Sequence, residues 1–246
     1  MRKLRVLMYH SVSDAGERDD LTVDTGQLEA HFRYLHMHGY STILLSQLID
    51  AMEGRGELPD RPVLITFDDG FRNNYELAYP LAALYRIRIN LFVVPDFIRE
   101  GSYRGLPCLT PDDIYNMDPE LVEIGLHSFG HNSYAELLPS ALSEDIDQSM
   151  EALKEMKIPF QPCLAYPFGA YPRRKGLDQS RLFGILEDKG IRLAFRIGNR
   201  INALPLRNPF VVQRMDITGH DSIRSFAWSL MLGKKWTRWM MPVKRA

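Results

Sequence analysis

The chain has 246 residues, 45% of them hydrophobic and 25% charged, with a formal net charge of −1. That length and apolar content suffice for one domain with a large core, and the near-neutral balance, with no basic patch among stacking aromatics before the C-terminus, excludes nucleic acid as an expected partner. Only Cys108 and Cys163 are cysteines, so no disulfide framework is expected and both are read as free thiols.

Strand-like runs begin near Leu4, Ser41, Pro62, Ile89, Val122, Pro162, Ile191 and Phe210, with helix signals between them. The segment Met1 to His10 is basic, but its apolar run is too short for a secretory signal and reads as the first strand, so a cytoplasmic protein is expected. Leu28, Phe32 and Leu35 form an apolar stripe that Gly39 ends, which predicts a first helix. His31, His36 and His38 fall on that helix and its end, with no carboxylate at ligand spacing, and read as solvated or partly packed. The buried-strand run Pro62 to Phe67 stops at Asp68-Asp69-Gly70, after which Asn73 and Asn74 are expected to line a loop and cap a helix near Tyr75. Val122 to Leu126 likewise stops at His127. Ser143 is expected to cap a helix running towards Lys157, and Pro162 to Tyr166 runs into Pro167-Phe168-Gly169. The last run, Phe210 to Ile217, carries Arg214 and precedes Gly219-His220-Asp221. Strand–helix alternation implies a mainly parallel sheet in a single domain over residues 1–246. Within it, residues 222–246 form an aromatic, methionine-rich and basic helical tail. That tail is too short and too charged to span a bilayer; it either packs its apolar side onto the domain or lies on a membrane surface.

The chemistry concentrates in two segments, Thr66-Phe67-Asp68-Asp69-Gly70 and His127-Ser128-Phe129-Gly130-His131. Adjacent carboxylates can divide labour between a base and a metal ligand. An H-x-x-x-H pair adds two imidazoles at a spacing that one divalent cation accepts. Both segments follow strand-like runs, and strand C-terminal ends form the catalytic face of a parallel α/β barrel. The pattern reads as a metal-dependent hydrolase.

With the third segment, Pro167-Phe168-Gly169, these motifs in this order resemble the polysaccharide deacetylase family, the carbohydrate esterases that share a NodB-type homology domain. The resemblance covers residues 4 to 217, and Val6-Leu7-Met8-Tyr9-His10-Ser11-Val12 resembles the first strand of members that act on exopolysaccharides. It implies a distorted (β/α) barrel of about seven parallel strands, and hydrolysis of N- or O-acetyl groups on a carbohydrate with release of acetate. It further implies Asp68 as general base and Asp69, His127 and His131 as metal ligands, a donor set that suits zinc, with cobalt or nickel as alternatives. The backbone N–H of Phe168 is implied as oxyanion donor, and Tyr166, Pro167, Phe168 and Gly169 as substrate-binding, with Tyr166 and Phe168 walling the acetyl pocket.

Two departures matter. Many members carry an arginine two residues before the third motif's proline, where this chain has Ala165; Arg214, on the last strand-like run, is the candidate to take over orientation of Asp68. The family's late histidine has two candidates here as general acid: His10, at the end of the first strand, and His220. A phosphatase of the haloacid dehalogenase type needs D-x-D, and position 70 is glycine; a degenerate carbohydrate-binding or assembly protein on the same fold is the alternative reading. The expected partner is an acetylated sugar, a polysaccharide or a lipid-linked glycan intermediate, with peripheral membrane contact through the tail. Specificity is expected to reside in the loops Asp96 to Pro111 and Tyr171 to Gly176.

Overall fold

Seven parallel strands close into a barrel in the computed structural model, which describes residues 2–172 and 177–234. In chain order the parallel strands are β1 (Lys3–Tyr9), β2 (Ser41–Ile43), β3 (Pro62–Asp69), β4 (Ile89–Val93), β5 (Val122–Leu126), β6 (Cys163–Ala165), β7 (Leu193–Ile197) and β8 (Val212–Asp216). The ring runs β1-β3-β4-β5-β6-β7-β8 and closes because Leu7 of β1 pairs with Ile65 on one side and Met215 on the other. β2 lies alongside the beginning of β3, with Thr42 opposite Val63. Successive residues of a strand face opposite ways, and this alternation divides the core. Val6, Leu64, Phe92, Cys163, Ala165, Phe195 and Val212 fill the lumen, while Leu7, Ile65, Leu91, Leu164 and Tyr166 pack outwards beneath the helices.

The outer layer includes α1 (Thr25–Met37), α2 (Leu45–Met52), α3 (Tyr79–Tyr85), α4 (Pro139–Glu155), α5 (Leu177–Asp188) and α6 (Ile223–Leu232). Asp24 caps α1 by accepting from the Gln27 N–H, and Leu28, Phe32 and Leu35 are its buried stripe. Several local expectations need correction. α4 starts at Pro139 rather than Ser143, because proline's fixed φ and missing N–H suit a first helical turn. Asn73 and Asn74 make no side-chain cap; Asn74 Nδ2 instead donates to the His10 carbonyl at 2.8 Å and Asn73 Nδ2 to Ser11 Oγ at 2.9 Å. They tie the loop after the acidic pair to the exit of β1. His31 is fully buried rather than solvated, stacked 3.9 Å from Phe226 of α6, whereas His36 and His38 are exposed.

Phe226 and Leu230 thus press α6 onto the barrel, leaving Ile223, Trp228, Met231 and Leu232 exposed. The expected tail from Lys235 onward, and residues 173–176 of the expected specificity loop, lie outside the described residues. Among the described residues no helix is long and apolar enough to cross a membrane. Cys108 and Cys163 are buried free thiols.

Candidate active site

The C-terminal ends of the strands surround a cleft of about 510 Å³ lined by His10, Asp68, Asp69, His127, His131 and Phe168, among others. Asp68 shares the lumenal face of β3 with Leu64 and Thr66, so the next residue should face away. Asp69 avoids this by adopting a left-handed backbone (φ 71°), continued by Gly70 (φ 75°), and both carboxylates line the cleft. His131 (φ 60°) and Phe168 (φ 58°) are also left-handed. Such backbone costs of order 1–3 kcal/mol per non-glycine residue and persists where the surroundings enforce it; these three residues all line the cleft.

Asp69, His127 and His131 each offer a donor atom, all within 4.8 Å of one another. The Nε2 atoms of His127 and His131 lie 3.5 and 3.3 Å from Asp69 Oδ1. His127 Nδ1–H donates to the Ala165 carbonyl at 2.8 Å, which leaves the Nε2 lone pair facing Asp69. Burial drives the His127 pKa down to about 4 against the pull of Asp68 and Asp69, keeping the ring neutral and free to ligate. Asp69 Oδ1 is buried with no hydrogen-bond partner among the described residues, a costly state that a cation relieves. Two imidazoles and a carboxylate fit a divalent metal with an open position.

Arg214 is fully buried and forks Asp68, with Nη1–Oδ1 at 2.5 Å and Nη2–Oδ2 at 2.7 Å. Burial alone would raise the Asp68 pKa; the Arg214 guanidinium, followed by His127, overcomes it and holds the carboxyl at about 2. Nη1 also lies 3.3 Å from Thr66 Oγ1, which donates to the Leu7 carbonyl. Ala165 faces the same lumen and leaves it to this guanidinium, whose carbon sits 5.7 Å from the Phe92 ring centre.

The two candidate acids separate in space. His10 lines the cleft, its Nδ1 buried and without a hydrogen-bond partner among the described residues. His220 is exposed outside it, 3.8 Å from Asp20. The third motif also divides. Phe168 and Gly169 line the cleft, and the turn's internal hydrogen bonds use the N–H groups of Gly169 and Ala170, so that of Phe168 is not spent in the turn. Gly169 (φ 61°) must be glycine, since a Cβ would come 2.8 Å from Ile197 N. Tyr166 does not reach the cleft: one residue beyond Ala165, it faces outwards, donates to the Phe210 carbonyl at 3.0 Å and stacks on Tyr171. Pro167 is likewise buried and away from the cleft.

One supporting residue carries no sequence signal. Asp145 of α4, buried, accepts from Ser128 Oγ at 2.8 Å, the Phe129 N–H at 3.2 Å, Asn132 Nδ2 at 3.1 Å and Tyr134 Oη at 2.7 Å. It holds the loop between the two histidine ligand candidates. An acidic residue on an amphipathic helix looks like any solvated position until the loop is seen folded over it.

The family profile described as polysaccharide deacetylase matches residues 55–185, a span containing all three motifs. A Bacillus subtilis (strain 168) protein, provisionally named polysaccharide deacetylase YxkH, is 28% identical over 169 residues, 69% of this chain. The match spans 58% of that relative's length. The poly-beta-1,6-N-acetyl-D-glucosamine N-deacetylase of Staphylococcus aureus (strain N315) is 22% identical over 215 residues, 84% of this chain and 71% of the relative. Among solved structures, the Streptococcus pyogenes deacetylase PplD in complex with acetate has a TM-score of 0.79 at 18% identity, covering 93% of this chain and 98% of that one. IcaB from Ammonifex degensii has a TM-score of 0.75 at 22% identity, covering 95% and 98%. These likenesses establish the fold as the NodB-type barrel. With a family match over more than half its length, the chain belongs to the polysaccharide deacetylase family.

Proposed function

We propose that this protein is a metal-dependent deacetylase that hydrolyses N-acetyl groups on a carbohydrate polymer or glycan intermediate, releasing acetate. The observation that carries the reading is the convergence of Asp69, His127 and His131 beside an Arg214-clamped Asp68 in one cleft. Asp69, His127 and His131 would hold the metal. When bound, a divalent cation supplies Lewis acidity that acidifies water and polarises an acyl oxygen.

The chain's own residues do the rest. Asp68, kept ionised by Arg214, is the base that takes a proton from the attacking water. The Phe168 N–H donates to the oxygen on which negative charge develops. His10, on the cleft wall, returns a proton to the departing nitrogen, and Asn74 fixes its backbone by donating to its carbonyl. Amide rather than ester substrates are favoured by the relatives, one of which is named for removing N-acetyl groups from poly-beta-1,6-N-acetyl-D-glucosamine.

The deciding experiment measures acetate release from acetylated amino sugars, oligosaccharides and O-acetyl esters, with chelator-stripped protein before and after zinc is restored, and with Asp68→Asn as control. Zinc-dependent release abolished by Asp68→Asn is expected. Failure to bind zinc would overturn the site assignment.

We further propose a cytoplasmic enzyme in peripheral contact with a membrane that carries its glycan. The exposed Ile223, Trp228, Met231 and Leu232 of α6 support this contact. Equal pelleting with anionic vesicles by the full chain and by a Trp228→Ser, Met231→Ser variant would remove it.

A further inference from the structure

We propose that Arg104 reads an anionic substituent on the sugar unit next to the acetylated one, so that the preferred substrate is an acidic glycan; this rests on the deacetylase reading above. Arg104 stands at the tip of a small hairpin formed by Ser102–Tyr103 and Leu106–Pro107, and it lines the catalytic cleft. Arg104 (φ 49°) and Gly105 (φ 78°) are both left-handed, the geometry of a tight primed turn matched to strand twist. The hairpin is anchored rather than loose. The Tyr103 ring stacks on Phe97 at 3.9 Å and lies 5.8 Å from the His131 ring. At its base the Cys108 N–H donates to the Gly101 carbonyl at 3.0 Å and the Leu109 N–H to the Gly70 carbonyl at 2.9 Å, one residue from Asp69. The tip is therefore indexed to the metal-ligand end of β3.

The guanidinium itself is held but not spent. Its Nε donates to Tyr103 Oη at 3.1 Å and it lies 5.3 Å from that ring's centre. This uses one of five N–H donors and leaves the terminal fork. No carboxylate pairs with Arg104 among the described residues, whereas the other arginine lining the cleft, Arg214, is paired with Asp68. Such a fork matches a carboxylate or sulfate group with two parallel hydrogen bonds.

Charge on the far side of the cleft has the opposite sign. Asp20 and Asp216 line it there, and β8, which ends in Asp216, lies three strands around the ring from β4, which leads into the hairpin. Lys234 Nζ meets the Asp216 carbonyl and His220 stands 3.8 Å from Asp20, so the acidic side carries its own partners, and the hairpin is where the cleft offers an arginine not paired with a carboxylate among the described residues.

The test compares an oligosaccharide alternating N-acetylglucosamine with glucuronate, a 6-sulfated N-acetylglucosamine oligomer and a neutral N-acetylglucosamine oligomer of equal length. Acetate release is measured for zinc-loaded wild type, Arg104→Gln and Arg104→Lys. Wild type should prefer an acidic oligomer. Arg104→Gln should lower kcat/KM for it about tenfold more than for the neutral one, mostly through KM, since a charge-assisted hydrogen bond is worth that much. Arg104→Lys should retain part of the preference, and added salt should erase it. A response to glucuronate alone assigns a uronate, to sulfate alone a sulfate ester; either supports the proposal. Equal losses on acidic and neutral oligomers would mean that the hairpin only shapes the cleft, and would overturn it. If wild type releases acetate from none of them, the deacetylase reading fails separately. Dissociation constants for the same oligomers then decide, and an acidic-to-neutral ratio unchanged by Arg104→Gln overturns the proposal.

Discussion

The Arg214–Asp68 fork makes the sharpest prediction about stability. Both partners are buried and two contacts of 2.5 and 2.7 Å join them. Removing one partner of such a pair strands a charge and costs roughly 3–5 kcal/mol, whereas replacing both with neutral groups costs far less than the sum. Arg214→Met should therefore lower the Tm of chelator-treated protein by roughly 6–20 °C, taking about 2–4 °C per kcal/mol for a chain of this size. The double variant Asp68→Asn, Arg214→Met should recover a substantial part. The pH dependence carries the sign. In wild type the Asp68 carboxyl is held at about 2, below its ordinary 3.8, so the pair's contribution is fully present above about pH 4 and is lost as pH falls through 2. Without Arg214, burial, the largest influence on this carboxyl, opposes its charged form, so the penalty that this one group imposes on the variant shrinks as pH falls and the carboxyl takes up a proton. Guanidinium unfolding at pH 7 and at pH 4 should therefore show the gap between wild type and Arg214→Met narrowing on acidification. A gap independent of pH, or single-variant losses that simply add in the double, would refute this account of the pair.

Three further outcomes are expected. Asp69→Asn and His131→Ala should abolish zinc binding in equilibrium dialysis, while His220→Ala, outside the cleft, should leave it intact. His10→Ala should remove the basic limb of the pH–rate profile and His220→Ala should not; the reverse would exchange the two assignments. His31 is held at about 4 by burial, below its ordinary 6.5, so wild type loses stability as pH falls from about 6.5 towards 4. Over that range His31→Leu should lose less, by as much as roughly 3 kcal/mol, and parallel curves would show that His31 is not the group responsible.

What could be read from the sequence was local. Apolar runs that stop at Asp68 and at His127 mark strands ending in functional groups, and the structure places both motifs on the ends of β3 and β5. The stripe of Leu28, Phe32 and Leu35 marked α1 for the same reason, a periodicity carried by neighbouring residues. Errors arose where a side chain's direction depends on something distant. Tyr166 faces outwards because alternation along β6 sends Ala165 into the lumen, a parity that was open to inspection but could not be anchored until the closed ring decided which face is inside. The burial of His31 depends on Phe226, which arrives nearly two hundred residues later to cover it. Asp145 and the hairpin carrying Arg104 gave no motif at all, because their roles consist of what they touch.

The exchange of Ala165 for Arg214 shows why register matters more than motif at this site. Ala165 pairs with Phe195, and Phe195 with Val212, so position 165 is level with Val212 and one pleat below Arg214. Both positions face the lumen, and a long guanidinium side chain from either strand enters the space in front of Asp68. The buried carboxylate demands a compensating cation but does not specify the strand that supplies it. What must stay at 165 is the backbone, since its carbonyl accepts from His127 Nδ1 and fixes the tautomer of that ring. The side chain there is then free to shrink once the charge comes from β8. An alanine in the third motif is thus compatible with an intact site, and the question it poses is answered by a residue that lies on the far side of one intervening strand.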